Sequence, residues 1–294
     1  MTDIRIEFSR FSAFYSPLIV TFSNGYLQAE GFSPSHGVIP AGESAAARLA
    51  EGTIAVAQSA VSQGFTALEK GTASPAKHFA QINETDGFFL VGREADENFS
   101  WQKLAGRSVL ADHGGQPLAM FKYGCHKTGM DYDSIDSIDA GTPAEMEAAF
   151  RNGRGDYVHL QGPAPQQIAV DGIGHVVASV GAAVGPCAFS SLLAMPDWLA
   201  TDEAKAFMRA YRAARAFVIE SAAEEVAGVI APHFSDISAK ALTDTIGAYQ
   251  ALGCWTPHFE ITEAAYDGAL DVFLNAGLIT ARHPYDQVVV PPPA

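Results

Sequence analysis

The sequence predicts an α/β protein made of two similar lobes followed by a helical C-terminal segment. Three observations lead there. The first is the stretch from Ala41 to Gly71, AGESAAARLAEGTIAVAQSAVSQGFTALEKG. An alanine-rich helix from Ser44 to Ala50 stops at Gly52, because glycine accepts the left-handed backbone of a helix end. A short strand, Ile54 to Ala57, leads to a turn at Gln58-Ser59, and a second helix from Ala60 to Lys70 ends at Gly71. The second observation is the same plan repeated about a hundred residues on. Thr142-Pro143-Ala144-Glu145 is a helix start, with Thr at the cap, Pro at the first helical position and Glu three residues after the cap. That helix runs to about Asn152, Gly153 and Gly155 break it, and the strand Asp156 to Leu160 leads to Gln161-Gly162. The third is that every periodic segment after Pro196 reads as helix.

Helix–glycine–strand units of this kind belong to open α/β sheets. In such sheets ligands bind beyond the carboxyl ends of the strands, where helix N-termini present free N–H groups. Gly42, Glu43, Ser44, Gln58 and Ser59 are expected at that edge in the first unit, and Gln161 and Gly162 in the second. The unit alone is common to α/β proteins. The glutamine that follows both strands is what suggests matched lobes, with Gln58 and Gln161 facing each other across a cleft.

With 294 residues, 48% of them hydrophobic and 17% charged, the chain can bury a large core as one large or two medium domains. A net charge of −15 argues against nucleic acid or an anionic membrane surface as partner, since both require a basic patch. It does not exclude a small anionic ligand, because a helix dipole acts locally. Cys125, Cys187 and Cys254 are scattered, without a CxxC pair, and read as small buried hydrophobes. No apolar run approaches the roughly 18 residues of a membrane helix, so no membrane insertion is expected. Met1 to Phe8 carries no basic stretch followed by an apolar run. A cytoplasmic location is therefore expected, or a periplasmic one where a leader has been removed.

Taken in order, Ile4, Ile6 and Phe8 alternate with Arg5 and Glu7, the mark of a half-buried strand. The loop that follows is rich in aromatics. Phe11, Phe14 and Tyr15 suit either core and rim positions or a stacking wall for an aromatic or apolar ligand. Ser16-Pro17 starts a helix, Tyr26 to Gly31 is a further helical turn, and Phe32 to Ile39 should be a strand made irregular by Pro34 and Gly37. His78 to Asn83 alternates as a strand, with Asn83 a candidate ligand contact. Gly87 to Gly92 is the most apolar strand and a candidate crossing between lobes. After the strand Ser108 to Ala111 comes Asp112-His113-Gly114-Gly115-Gln116-Pro117 and then a helix. Strand, Gly-Gly turn and helix N-terminus are expected to form an anion site from Gly114, Gly115 and Gln116; His113 suits either a ligand contact or a structural, solvated place at the strand end. The spacing is neither GxGxxG nor a P-loop. His175 to Val180 is a strand, and Gly185 to Ala194, containing Ser190, reads as the return crossing. Helices capped by Asp202, Ser238 and Thr262 follow, ending in an extended tail, and such helices usually clasp one lobe.

The ordered set of segments resembles a known superfamily. The strand and loop from Phe8 to Pro17, then NGYLQAEGF, GESAAARLAEGTIAVAQSA, LAGRSVLADHGGQPLAMFKY, AMPDWLATDEAKAFMRAY and ITEAAYDGALDVFLNAGLI, are similar to periplasmic binding proteins. The branch is the one that unites aliphatic-sulfonate and nitrate-type solute-binding proteins with the pyrimidine-precursor synthases of thiamine biosynthesis. The resemblance implies a type II binding-protein fold: two α/β lobes, two hinge crossings, and a ligand held between lobes that close over it. It places one lobe at residues 1–90 and 190–294, the other at 91–189, and the ligand cleft between them.

In the synthases a Lys and a His lie in the segment matching Val56 to Gln63. Here Gln58 and Ser62 stand at those positions, and the cysteine-rich cluster is missing. A pyridoxal-phosphate Schiff base needs a lysine, so neither that activity nor any cofactor or metal is expected. Sulfinate-cleaving relatives need a cysteine in the first loop, which has Phe11, Phe14 and Tyr15 instead. The leading expectation is a solute-binding protein for a small organic ligand, anionic or aromatic in character, serving an ABC permease. An enzyme on the same fold, such as a lyase or decarboxylase using His113, Glu43 and Lys77 as acid–base groups, is the alternative. A ligand-sensing regulator lacks a helix-turn-helix segment to support it.

Overall fold

The computed structural model describes residues 1–294. The first half of the chain forms β1 (Thr2–Phe8), α1 (Ser16–Ser23), α2 (Tyr26–Ala29), β2 (Phe32–Val38), α3 (Ala45–Ala50), β3 (Val56–Ser59), α4 (Ser62–Glu69), β4 (Lys77–Asn83), β5 (Phe88–Gly92), β6 (Ser108–Leu110), α5 (Gly115–Lys127) and β7 (Asp136–Ile138). There follow α6 (Pro143–Arg151), β8 (Tyr157–Gln161), α7 (Ala164–Val170), β9 (His175–Ser179), α8 (Val180–Val184) and β10 (Ser190–Ala194). The C-terminal part is helical: α9 (Pro196–Leu199), α10 (Asp202–Glu220), α11 (Ala223–Ile230), α12 (Ala239–Ala251), α13 (Glu263–Asn275) and α14 (Tyr285–Val288). No helix is long and apolar enough to cross a membrane.

Two five-stranded sheets result, ordered β2-β1-β3-β10-β4 and β7-β6-β8-β5-β9. In each, four strands run parallel and one antiparallel strand lies between the third and fourth. That strand is the one arriving from the other sheet: β10 inserts beside β3, and β5 beside β8. The two α/β repeats seen in the sequence are thus one station of one topology, since α3–β3 and α6–β8 both supply a third strand. The Thr142–Glu145 capping box forms as the sequence predicts, with Glu145 N–H donating to the Thr142 hydroxyl and Thr142 N–H to the Glu145 carboxylate.

Some local expectations change. β3 starts later than expected and takes in Gln58 and Ser59, which pair with β1 and β10 as strand residues rather than turning. β2 is regular despite Pro34 and Gly37, in unbroken register with β1 from Thr2↔Phe32 to Phe8↔Val38. It can be, because it is an edge strand and a proline N faces no partner there. Thr201, not Asp202, caps α10, its hydroxyl accepting from Ala204 N–H.

The chain passes between sheets at 84–87 and 185–189, and the two passages are bonded to one another. Cys187 N–H donates to the Glu84 carbonyl at 2.7 Å and Phe189 N–H to the Asn83 carbonyl at 3.2 Å. Buried Arg215 meets no carboxylate; its guanidinium donates to the carbonyls of Ile82 (2.9 Å) and Thr256 (2.8 Å) and so pins the first passage.

The C-terminal helices do not clasp one lobe, as expected, but touch the helices of both sheets. α10 and α11 pack on α1, α12 packs on α7, and α13 packs on both α4 and α5. Tyr249 of α12 explains this. It is fully buried, its hydroxyl accepts from Gly162 N–H (2.8 Å) and donates to the Gly87 carbonyl (3.0 Å). One apolar core of 61 buried residues runs through strands of both sheets and the C-terminal helices.

Candidate functional site

The parallel strands of both sheets end facing a common cavity of about 280 Å³. From the first sheet its wall takes Ser9 and Arg10 after β1, Tyr15, and Gln58, Ser59, Ala60 and Gln63 around the end of β3. From the second come Phe88 of β5, Gly114, Gly115, Gln116 and Pro117 at the start of α5, and Gln161 at the end of β8. Phe189 and Ser190, at the return passage, complete it.

The polar side chains here divide into those already satisfied and those left open. Gln58 is satisfied. Its Oε1 accepts from Ser9 N–H at 3.0 Å and Arg10 N–H at 3.4 Å, while Ser9 Oγ donates to the Gln58 carbonyl. Gln58 therefore holds the loop that presents Arg10. Gln116 is also satisfied and ties the sheets together: Ser62 Oγ donates to its Oε1 at 2.6 Å, and its Nε2 donates to the Phe189 carbonyl at 2.9 Å. The Ser59 hydroxyl and Gln161 Oε1 are buried with no partner. A buried polar atom without a bond costs on the order of 1–3 kcal/mol, so a molecule that bonds both is favoured there.

Charge at the site is balanced. Arg10 reaches across to Asp112 at 2.7 Å, and its guanidinium lies 5.5 Å from the Phe88 ring centre. Asp112 also accepts from Gly114 N–H at 2.9 Å, which leaves the first-turn N–H groups of Gly115 and Gln116 free; Pro117 has none. Tyr15 is nearly fully buried beside Ser190 and Gln161, and burial raises its hydroxyl pKa above the usual value, so it stays a neutral donor. Behind the wall, His159 stacks between Phe88 and Phe121 with centres 4.6 and 4.9 Å away, and burial lowers its pKa to about 3.

Of the residues singled out from the sequence, Tyr15, Gln58, Ser59, Gly114, Gly115, Gln116, Gln161 and Ser190 lie together on this wall. The others do not. Phe11 stacks instead with His36 (5.8 Å) and Phe234 (5.5 Å), because β2 and the C-terminal helices cover its side of the loop. Phe14 is fully buried against Tyr249 and Phe189. Asn83 lies under the passages, off this wall, where its Nδ2 donates to the Phe14 carbonyl at 2.7 Å and its Oδ1 is buried without a partner. Gly162 is bracketed by Ser12, whose hydroxyl donates to its carbonyl, and by Tyr249. His113 turns back onto the Ala111 carbonyl at 2.8 Å. Gly42, Glu43 and Ser44 line an adjoining groove, with Glu43 paired to Arg48 and Ser44 capping α3.

His113, Glu43 and Lys77 do not converge, since Lys77 donates to the Gln287 carbonyl at the far end of β4. No nucleophile–base–substrate geometry arises from them. The sequence reading missed Ser9, Arg10, Ala60, Gln63, Phe88, Pro117 and Phe189. The strand-end rule that singled out Gln58 applies equally to Ser9 and Arg10, which follow directly on β1.

Known proteins place this architecture. Residues 13–225 match the family model described as NMT1/THI5 like. The chain is 28% identical over 293 residues to "Putative binding protein YtlA" of Bacillus subtilis (strain 168), covering 98% of this chain and 88% of that protein. Among solved structures, the aliphatic sulphonate binding protein SsuA of Escherichia coli superposes with a TM-score of 0.74 at 17% identity, over 99% of this chain and 93% of SsuA. SsuA of Xanthomonas axonopodis pv. citri, solved with bound MOPS, gives 0.72 at 15% identity, over 99% and 96%. The nitrate-binding protein NrtA of Synechocystis PCC 6803 gives 0.66 at 15% identity, over 99% and 92%. The fold is that of the periplasmic binding proteins, and the chain belongs to the NMT1/THI5-like family.

Proposed function

We propose that this protein is a solute-binding component of an ABC-type importer that captures a small organic molecule in the cavity between its two sheets. The observation that carries the reading is the pair of unpartnered buried oxygens, Ser59 Oγ and Gln161 Oε1, contributed by opposite sheets to one cavity wall. The relatives named above support a binding role, and all four of them are binding proteins by description. The lobes, residues 1–90 with 190–294 and residues 91–189, would part at the two passages to admit the ligand. An import role places the protein on the outer side of the membrane, beside its permease.

Chemistry narrows the ligand. Arg10 is already neutralised by Asp112, and Gln161 Oε1 accepts but cannot donate. The ligand therefore brings N–H or O–H groups of its own and carries at most one negative charge, met by Gly115 and Gln116 N–H. Phe88, Phe189 and Tyr15 favour a flat apolar face. A thermal-shift panel of heteroaromatic amides, heterocyclic bases, sulfonates and nitrate tests this. A ligand at 100 times its Kd adds about 2.7 kcal/mol of stability. A flat donor-bearing compound should raise the melting point of the native chain, and Gln161→Leu should abolish the rise. No response to any class, or a response to nitrate and sulfonates alone, overturns the assignment.

A further inference from the structure

A second concavity, about 640 Å³ in volume, runs along the first sheet between α3 and α4. It meets the interlobe cavity at Ser9, Ser59 and Gln63, which line both. We propose that the ligand continues past Ser59 into this groove, and that it is a flat hydrogen-bonding head carrying an uncharged, hydroxylated tail. The proposal rests on the reading of the cavity as the site of the head.

The floor of the groove is polar where a sheet face would ordinarily pack apolar side chains. Strand alternation puts Ala57 and Ser59 of β3 on the face that α3 and α4 cover, and Gln58 on the other. Ser59 is 2% exposed and its hydroxyl has no partner, at the point where the two spaces join. Its neighbour across the sheet is Ser191, which is bonded at 2.7 Å to Nδ1 of His78, a buried residue that itself lines the groove. Burial lowers the His78 pKa to about 3, so the imidazole is neutral.

The walls select for hydroxyl groups. Thr66 Oγ1 donates its proton to the Ser62 carbonyl at 3.0 Å, and Thr72 Oγ1 to the Ala67 carbonyl at 3.0 Å. Both are left with lone pairs, which accept from an incoming O–H and repel an anion. Ser44 accepts from Ala47 N–H at 3.1 Å, which leaves its own proton free to donate. A hydroxyl, both donor and acceptor, suits such a mixed wall. The charged groups on the lining are Glu43, tied to Arg48 at 2.7 Å, and Lys70. An anionic tail would have Lys70 alone for a counter-charge.

Matched pairs of probes test the proposal on the full chain: uracil with uridine, cytosine with cytidine, and adenine with adenosine, each titrated calorimetrically. In one pair or more, the riboside should bind about tenfold or more tightly than its base, the equivalent of one or two net hydrogen bonds. Thr66→Trp fills the groove from an exposed helix position and should remove that advantage while leaving base affinity unchanged. Thr66→Val keeps the shape, loses the lone pairs, and should lower riboside affinity about threefold to tenfold. If one base or more binds and no riboside binds better than its base, or if the advantage survives Thr66→Trp, the groove is not a subsite and this inference alone falls. If neither bases nor ribosides bind, the assignment of the cavity falls with it.

Discussion

Replacing Tyr249 by Phe isolates the bond that ties α12 to both the second sheet and the first interlobe passage. The ring keeps its packing against Phe14, Phe89 and Trp255, whose centres lie 4.8, 5.7 and 5.7 Å away. The hydroxyl is lost, and with it the bond from Gly162 N–H and the bond to the Gly87 carbonyl. The Gly162 carbonyl still accepts from Ser12 Oγ. The change thus strands one buried donor and one buried acceptor without opening a large void. At about 1–3 kcal/mol for each stranded group, and less for a carbonyl than for an N–H, the expected loss is about 2–4 kcal/mol. Urea unfolding at pH 7 measures it as a drop in midpoint at constant slope. A loss under about 0.5 kcal/mol, the range of ordinary surface substitutions, would refute the claim that this hydroxyl joins the two halves.

Other substitutions probe neighbouring features. Burial lifts the carboxyl pKa of Asp86, beside the first passage, to about 7, while its Oδ1 accepts from Phe88 N–H at 2.6 Å. A folded-state pKa above the unfolded one means the fold binds the proton more tightly, so stability falls as pH rises from about 4 through 7 and then levels off. Asp86→Asn mimics the protonated acid and should stabilise the protein by about 2–4 kcal/mol at pH 8, the gain fading towards pH 4 in urea titrations; a pH-independent gain would contradict the assignment. A Cβ on Gly181 would run into the Asp86 carbonyl and Thr85 Cγ2. Gly181→Ala should therefore cost about 1–3 kcal/mol although alanine favours the helix, and unchanged stability would mean that the passage yields freely.

The sequence read the repeating unit correctly because its signals are local. Thr142, Pro143 and Glu145 cap a helix wherever it sits, and Gly52 and Gly153, both at positive φ, end one. The same local chemistry put Gln58 and Gln161 at strand ends and Gly114-Gly115 at a helix start. It could not tell that Phe11 packs against the edge strand while Tyr15, four residues on, reaches the cavity, because aromatics in one loop look alike until their neighbours are known. Nor could it separate Gln116 and Gln58, which are spent on protein partners, from Ser59 and Gln161, which are not. Arg10 was within reach of the strand-end rule, but its neutralisation by Asp112, about a hundred residues away in sequence, was not.

Short-range rules, acting through backbone sterics and capping, thus determined on their own most of the elements, their order and the sheet edge at which Gln58, Gln161 and Gly114-Gly115 lie. Only the folded chain decided which side chains converge there, which are already satisfied, and that α12 braces both sheets. Those outcomes depend on hydrogen bonds and burial between residues far apart in sequence, such as Gly162 with Tyr249 and Ser62 with Gln116, and no local pattern encodes them.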